Sequence, residues 1–591
     1  MNCEVLPVNS TDFREIDGKI IIHTKGRLCE TGEELLQSGL FVRVLDRFID
    51  ELSGHGSRLL DIFEGEVTEK KRHLFHLTLK TLIKLEWENV QKIIPGSEEF
   101  FRDIPLLADF IENLYNYWRS FERYVICDSA GDTLDKRPYR TFNQTVERLT
   151  DVVMGTYRDI QENISGTHPR IYRQLPAGAG IAAIGIPIDI PYPSGSFSRL
   201  ANIRIIRQIL LNPPVILEPK SNKRSGSFKK ISENPLDLVD INTAEWLCYP
   251  AKVGELLINI YFHESFYDLG FSLCNLFELA EDWELAEKPD AVYLFGVPGD
   301  KLDSFDKVPA VFYDDEKDGI MVAACPNREM FGYFGYIKKM ALTLHNAIMI
   351  RRGKLPFHGA LVKVLLKGGR ESTILIMGDS GAGKSETLEA FRNIGDQYLR
   401  DMIIIADDMG SLELKDNGEV IAYGTETGAF LRIDDLKPGY AFGQIDRSIL
   451  MSATQVNARI ILPVTSYDTV VKGHRVDIVL YANNYEQVDD DHPVIERFTS
   501  MEQACHVFRE GTVMSKGTTT STGIVHSYFA NIFGPLQYKE VHDPLAKKFF
   551  GAFFDTGLFV GQMRTRLGIA GYEMKGPEDA AIELLKHIIA G

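Results

Sequence analysis

The sequence predicts an α/β protein. Three observations carry this. Short apolar runs of strand length recur along the second half, and helical stretches fill much of the first. One apolar run, STILIMG (372–378), passes through a glycine-rich loop straight into a helical pattern, LEAFRNI. Strands alternating with helices in this way form parallel or mixed sheets covered by helices. At 591 residues the chain is long enough for two or three domains, each with its own core. The reading gives three segments: a mostly helical module over 1–165, a mixed α/β region over 166–330, and an α/β domain over 331–591 that holds the glycine-rich loop.

Residues 30–165 read mostly as helices. In the clearest, Ile104, Leu107, Ile111, Leu114, Trp118 and Phe121 recur at three- and four-residue steps and line one face. From 166 to 200 glycine and proline become dense, in QLPAGAGIAAIGIPIDIPYPSG. Such a stretch is either a linker or a loop where backbone approaches a ligand closely. The runs LLINIYF (256–262), AVYLFGV (291–297) and GIMVAAC (319–325) follow as strands between polar turns. Beyond 330 come STILIMG, MIIIADD (402–408), ARIILPV (458–464) and VDIVLYA (476–482). There is no internal repeat and no low-complexity tract.

Composition narrows the function. The net charge of −18 argues against nucleic acid or an anionic membrane as the main partner. No run of about 18 apolar residues exists, so no membrane span is expected. The opening MNCEVLPVNSTDFREIDGK carries charge where a secretory leader needs an apolar core. Seven scattered cysteines with no CxxC pair read as reduced thiols. The expectation is a cytoplasmic protein acting on small molecules.

The chemistry concentrates in GDSGAGKSE, residues 378–386. A strand, a GxxxxGKS loop and a helix form the context of a phosphate-binding P-loop. Gly378, Gly381 and Gly383 let the loop wrap with N–H groups inward at a helix N-terminus, which favours anions. The candidate nucleotide-binding set is therefore Gly378, Asp379, Ser380, Gly381, Ala382, Gly383, Lys384, Ser385 and Glu386. Lys384 supplies charge to β/γ-phosphates, and the Ser385 hydroxyl suits Mg2+. Asp407 and Asp408 close the run IIIADD, 24 residues after Lys384. An Asp pair after a strand is by itself more often a turn, but after a P-loop it stands where such nucleotidases hold a cation. His358 precedes the P-loop strand, and nineteen residues before it sits Lys339, beside Lys338. Paired lysines are commonly a solvated face. In this aromatic, glycine-rich surround, desolvation can depress a lysine enough for chemistry or metal ligation.

Taken together, Tyr333, Gly335, Lys338, Lys339 and His358, with the nineteen-residue spacing, resemble the substrate and metal segment of phosphoenolpyruvate carboxykinases. The resemblance continues through the P-loop, the Asp pair, GTETGAFLRI (424–433) and NARIILP (457–463), and covers about 331–591. It implies a P-loop-containing carboxykinase-like domain that interconverts oxaloacetate and phosphoenolpyruvate with CO2 release, using ATP or another phosphoryl donor. It further implies Mn2+ on Lys339, His358 and Asp408, with Mg2+ on Ser385 and the nucleotide. Lys338 and Arg459 would neutralise transferring phosphate, and Tyr333, Ser380 and Arg459 would line the substrate end. Arg173 is the stand-in for the substrate-loop arginine of that family. The wording GDSGAGKSE, with Glu386, is more similar to HPr kinase/phosphorylase. The arginine that ATP-type carboxykinases place against the nucleotide is missing from GTTTSTG (517–523). Two alternatives follow: a phosphotransferase acting on a protein or small hydroxyl acceptor, and a non-catalytic nucleotide sensor. The helical N-terminal module is the candidate surface for a protein partner.

Overall fold

The computed structural model describes residues 13–25, 27–129, 136–167, 171, 175–226, 228–395, 398–433, 442–515 and 523–590. It is mixed α/β, with several mixed sheets, and divides into two compact units. Residues 1–187 with 206–215 form the first; 188–205 with 216–591 form the second.

In the first unit, polar caps start the helices. Asp103 accepts from Leu106 N to open Ile104–Ser120, with proline in its first turn, and Thr68 accepts from Lys71 N to open Glu69–Leu82. The helix Gly39–His55 stops at Gly56, whose left-handed φ of 61° suits glycine. Leu107, Phe110, Ile111 and Leu114 of Ile104–Ser120 are buried, and Phe63, Phe75, Phe100 and Phe110 meet edge-on at ring separations of 5.0–6.3 Å. The segment is less purely helical than its sequence suggests. Strands Lys19–Thr24, Glu122–Asp128 and Ile181–Ile186 lie parallel side by side, and Phe13–Ile16 pairs antiparallel to the first. The glycine- and proline-rich stretch thus contains a buried strand, IAAIGI. Its short side chains give a six-residue apolar run, which reads as a fully buried strand only once its neighbours are known.

The second unit is larger because one helix joins two sheets. Phe334–Arg351 is buried at every position but Lys339 and Arg351, and it packs against both Trp246–Val253, Ala291–Val297 and Ile320–Pro326 on one side and Leu355–Leu366 and Met409–Leu414 on the other. A helix apolar all round has to be enclosed. That is why the segments read separately as 166–330 and 331–591 share a compact unit from 216 onward.

The strand that leads into the glycine-rich loop, Glu371–Met377, is antiparallel to Leu355–Leu366 and parallel to Ile478–Asn483, which in turn is parallel to Phe559–Arg564. Leu375 and Met377 enter one core with Val479, Tyr481 and Phe549; Ile374 and Ile376 enter another with Leu480, Phe391 and Leu584. Both faces are covered, which explains why these strands read as unbroken apolar runs. The strand carrying the Asp pair, Leu399–Ala406, is not the immediate neighbour of Glu371–Met377: it pairs with Leu355–Leu366, which lies between them. Among the described residues no helix is long and apolar enough to cross a membrane.

Candidate functional site

Three elements bring their side chains to one carboxylate. Lys338 and Lys339 come from the second turn of the buried helix, His358 from the strand after it, and Asp408 from the bend after Leu399–Ala406. Asp408 Oδ2 lies 2.8 Å from Lys338 Nζ, its two oxygens lie 2.9 and 2.8 Å from Lys339 Nζ, and Oδ1 lies 3.0 Å from His358 Nε2. On its other side Lys338 Nζ meets Glu426 Oε1 at 2.8 Å. Lys339 also sits 4.7 Å over the Phe533 ring.

The two neighbouring lysines are shifted in opposite directions. Burial alone would lower Lys338, but Asp408, Glu426 and Asp407 push it above the ordinary lysine range. Burial lowers Lys339, and the adjacent Lys338 charge lowers it further, so that Asp408 only partly restores it. Burial likewise lowers His358, with Lys339 adding to the effect. Burial would raise Asp408, yet Lys338, Lys339 and His358 hold it well below the carboxylate range. Asp407 and Glu426 are pushed up by burial.

His358 bears on cation binding. Its Nδ1 contacts Ala530 O at 2.6 Å. A carbonyl only accepts, so Nδ1 carries the proton, and in the neutral ring Nε2 is an acceptor. Asp408 Oδ1, 3.0 Å away, is an acceptor too. Two acceptors at that distance need a proton or a cation between them. A ring whose far nitrogen donates to a backbone carbonyl is also the arrangement that orients a metal-ligating histidine. Phe529 and Ala530, both at φ 51°, present that carbonyl from a left-handed backbone that neither residue favours. Among the described residues no group of three His, Cys, Asp or Glu side chains could hold a metal. This set has two such ligands, and its third donor is an amine, Lys339.

In the loop 378–386, Gly383 has φ 92°, and a Cβ there would meet Thr565 Oγ1 at 2.6 Å. Thr565 Oγ1 donates to Ala382 O (2.7 Å) and Asn484 Nδ2 to Gly381 O (2.9 Å), which fixes the loop from outside. Lys384 Nζ donates to Gly378 O and Asp379 O at 2.7 and 2.9 Å. Burial lowers Lys384, against the pull of Asp408 and Asp379.

A cavity of about 320 Å³ connects these parts. Tyr333, Lys338, Lys339, Asp379, Ser380, Gly381, Lys384, Ser385, Glu386, Asp407, Asp408 and Arg459 all line it, so the structure brings together most residues singled out from the sequence. His358 reaches it through Asp408. Arg173 lies outside the described residues, as do 517–522 of GTTTSTG.

The sequence reading missed four contributors. Glu426 and Arg432 stand in GTETGAFLRI, where the segment but not the residues was noted. Arg432 is the direct cross-strand partner of Arg459, and both line the cavity. Arg224, from SNKRSGS, lines the cavity with its guanidinium 5.6 and 5.1 Å from the rings of Phe228 and Phe533. Its basic, small-residue surround looks like a solvated loop. Phe533 had no signal at all. Neither models of known protein families nor the curated proteins contain a match to this chain.

Proposed function

We propose that this chain is a phosphoenolpyruvate carboxykinase-like enzyme, converting oxaloacetate and a phosphoryl donor into phosphoenolpyruvate, CO2 and the dephosphorylated donor, or the reverse. The single observation that carries the reading is the meeting of Lys339 and His358 on Asp408, each with a nitrogen within 3.0 Å of its carboxylate, at the edge of the cavity that the glycine-rich loop also lines.

In this reading the C–C bond to the departing carboxylate breaks, and its electron pair moves into an enolate. The enolate oxygen then attacks the terminal phosphorus in line as the bond to the leaving phosphate breaks. Lys339, His358 and Asp408 would hold a Mn2+-type cation, since nitrogen donors with one carboxylate suit a borderline metal. That cation would supply Lewis acidity toward the developing enolate charge. Lys338, fixed as a cation by Asp408 and Glu426, contributes permanent positive charge. Lys384, Arg432 and Arg459 neutralise phosphate oxygens. Arg224 and Tyr333 are the candidates for the substrate carboxylate, in the place first given to Arg173. Ser385 is exposed at the start of its helix, open to a donor-bound Mg2+.

The test is an assay of the purified chain with Mn2+, Mg2+ and oxaloacetate against ATP, GTP and pyrophosphate, scoring phosphoenolpyruvate. Product with any donor, lost in Lys339→Met, supports the reading. Donor hydrolysis or transfer to hydroxyl acceptors without phosphoenolpyruvate would favour the HPr kinase-like alternative, for which the Glu386 wording of the loop speaks. Donor binding without turnover would favour a sensor.

A further inference from the structure

The loop 378–386 and His358 both touch one short segment, 527–530. At its start Ser527 Oγ donates to Asp379 Oδ2 at 3.0 Å. At its end Ala530 O accepts from His358 Nδ1 at 2.6 Å. Asp379 uses its other oxygen, Oδ1, to accept from Ser380 N (2.7 Å), and that oxygen lies 3.9 Å from His358 Nδ1. Ser527 thus holds a carboxylate that belongs to the glycine-rich loop and lies beside the histidine.

The two contacts cannot shift independently. Ala530 N donates to Ser527 O at 2.7 Å, which closes the segment into a single turn. Phe529 and Ala530 are buried in the core that also holds Tyr481 and Phe550, both at φ 51°. Strained backbone of this kind persists only where its surroundings over-determine it. Here Ser527 N donates to Gly511 O at 3.2 Å, and a Cβ on Gly511 would lie 1.8 Å from Ser527 O. Tyr528 OH bonds His542 Nδ1 at 3.0 Å. Ser527 itself is partly exposed and outside that core, so its hydroxyl can be removed without opening a cavity.

Both kinds of ligand are served by one placement of this turn. An anion received by the loop shares the cavity with the Asp379 carboxylate and needs it held aside. A cation needs His358 Nδ1 held on Ala530 O, so that Nε2 faces Asp408. Whichever binds first fixes the turn for the other, and such linkage is reciprocal.

We propose that Ser527 is a positioning residue that couples the two sites, so that a phosphate-type anion and Mn2+ strengthen each other's binding. The inference rests on the anion and cation sites of the reading above and on no step of its chemistry.

The test uses the full chain with sulfate as the anion, because sulfate chelates Mn2+ far more weakly than pyrophosphate or ATP does. Free Mn2+ is counted by electron paramagnetic resonance at rising sulfate, corrected by the same titration without protein. Calorimetry gives sulfate affinity with and without Mn2+, and the two coupling factors must agree. Sulfate is expected to tighten Mn2+ binding about fivefold or more, and Ser527→Ala to cut that factor to under about twofold with folding unchanged. Attraction between the ions through space is the same in both proteins, since no charge is removed. A factor that survives in Ser527→Ala is therefore attraction alone and overturns the proposal. Ser527→Cys, whose thiol is a weak donor, gives the same readout if the alanine variant does not fold. Ser527→Thr keeps the hydroxyl and should restore the factor; failure to do so in a folded variant overturns the role of the hydroxyl. Independent binding of the two ions to the parent chain also overturns the coupling. A parent chain that binds no Mn2+, or no sulfate, lacks a site of the proposed function itself, and the coupling falls with it.

Discussion

Lys338 and Lys339 touch the same carboxylate, so replacing each by methionine tests whether their roles differ. Lys338 is 3% exposed at its side chain and is bonded at 2.8 Å to both Asp408 and Glu426, whose side chain is fully buried. Lys338→Met leaves Glu426 without its cation and removes one of three partners of Asp408. Breaking a buried ion pair from one side costs about 3–5 kcal/mol, because the other charge is stranded. Lys339→Met removes one partner of Asp408 but leaves Lys338 and His358 in place. The methionine can keep the packing on Phe533 that Lys339 has at 4.7 Å. A volume-conserving swap of this kind should cost under about 1.5 kcal/mol. Mn2+ binding should respond in the opposite sense, being lost in Lys339→Met. The assay is urea unfolding, fitted with separate transitions for the two compact units, beside Mn2+ titration by electron paramagnetic resonance. If Lys339→Met destabilises the second unit as much as Lys338→Met does, the division into a structural cation and a ligating amine is wrong.

Three further outcomes are expected. His358→Ala should weaken Mn2+ binding by tenfold or more while donor binding at the P-loop persists, as read by calorimetry with each ligand. Loss of both together would mean that the ring supports the fold. Lys384→Ala should abolish turnover with little change in unfolding, because the side chain bonds two carbonyls of its own loop, Gly378 and Asp379, and joins neither apolar core of the sheet; aggregation would instead reveal a structural role. Acid should destabilise the second unit through His345 and His542, which burial lowers from 6.5 to about 4. The unfolded chain takes up these protons as pH drops through about 6.5, while the folded one resists until about 4. Stability is thus complete above pH 6.5 and falls between 6.5 and 4, by up to about 3 kcal/mol per histidine. A melting temperature that stays flat across this range in the parent chain would contradict it.

The parts of this molecule legible in its sequence are those fixed by local rules. AVYLFGV is a strand over the same seven residues as read, and STILIMG, VDIVLYA and ARIILPV fall within a residue or two of their strands. Apolar runs between turn signals leave few alternatives. The glycine-rich loop between strand and helix was legible for the same reason, since Gly381 and Gly383 take the positive φ, 79° and 92°, that glycine allows. What escaped was set by tertiary pairing. IAAIGI was hidden because small residues and prolines around it look like a loop until parallel neighbours bury it. Leu355–Leu366 inserts between the strand before the glycine-rich loop and the Asp strand, an arrangement of long-range pairing that no local pattern encodes. Arg432 acquires meaning only through its register with Arg459.

Charge explains why the site is built around one acid. The chain as a whole carries −18, yet the cavity is lined by Arg224, Lys338, Lys339, Lys384, Arg432 and Arg459. Carboxylates line it as well, namely Asp379, Glu386, Glu389, Asp407 and Asp408, but burial pushes Asp407 toward its neutral form. Asp408 is held well below the carboxylate range while touching Lys338, Lys339 and His358. Were it neutral, Lys338 would keep its charge through Glu426 and Lys339 would lose its proton more readily still, since the Asp408 charge opposes that loss. The carboxylate therefore holds back a cation that burial would otherwise discharge. In the proposed reading a divalent ion held by Asp408 would offset the carboxylate's charge and remove that restraint, so that the Lys339 proton would pass to solvent and its nitrogen would become available to the same ion.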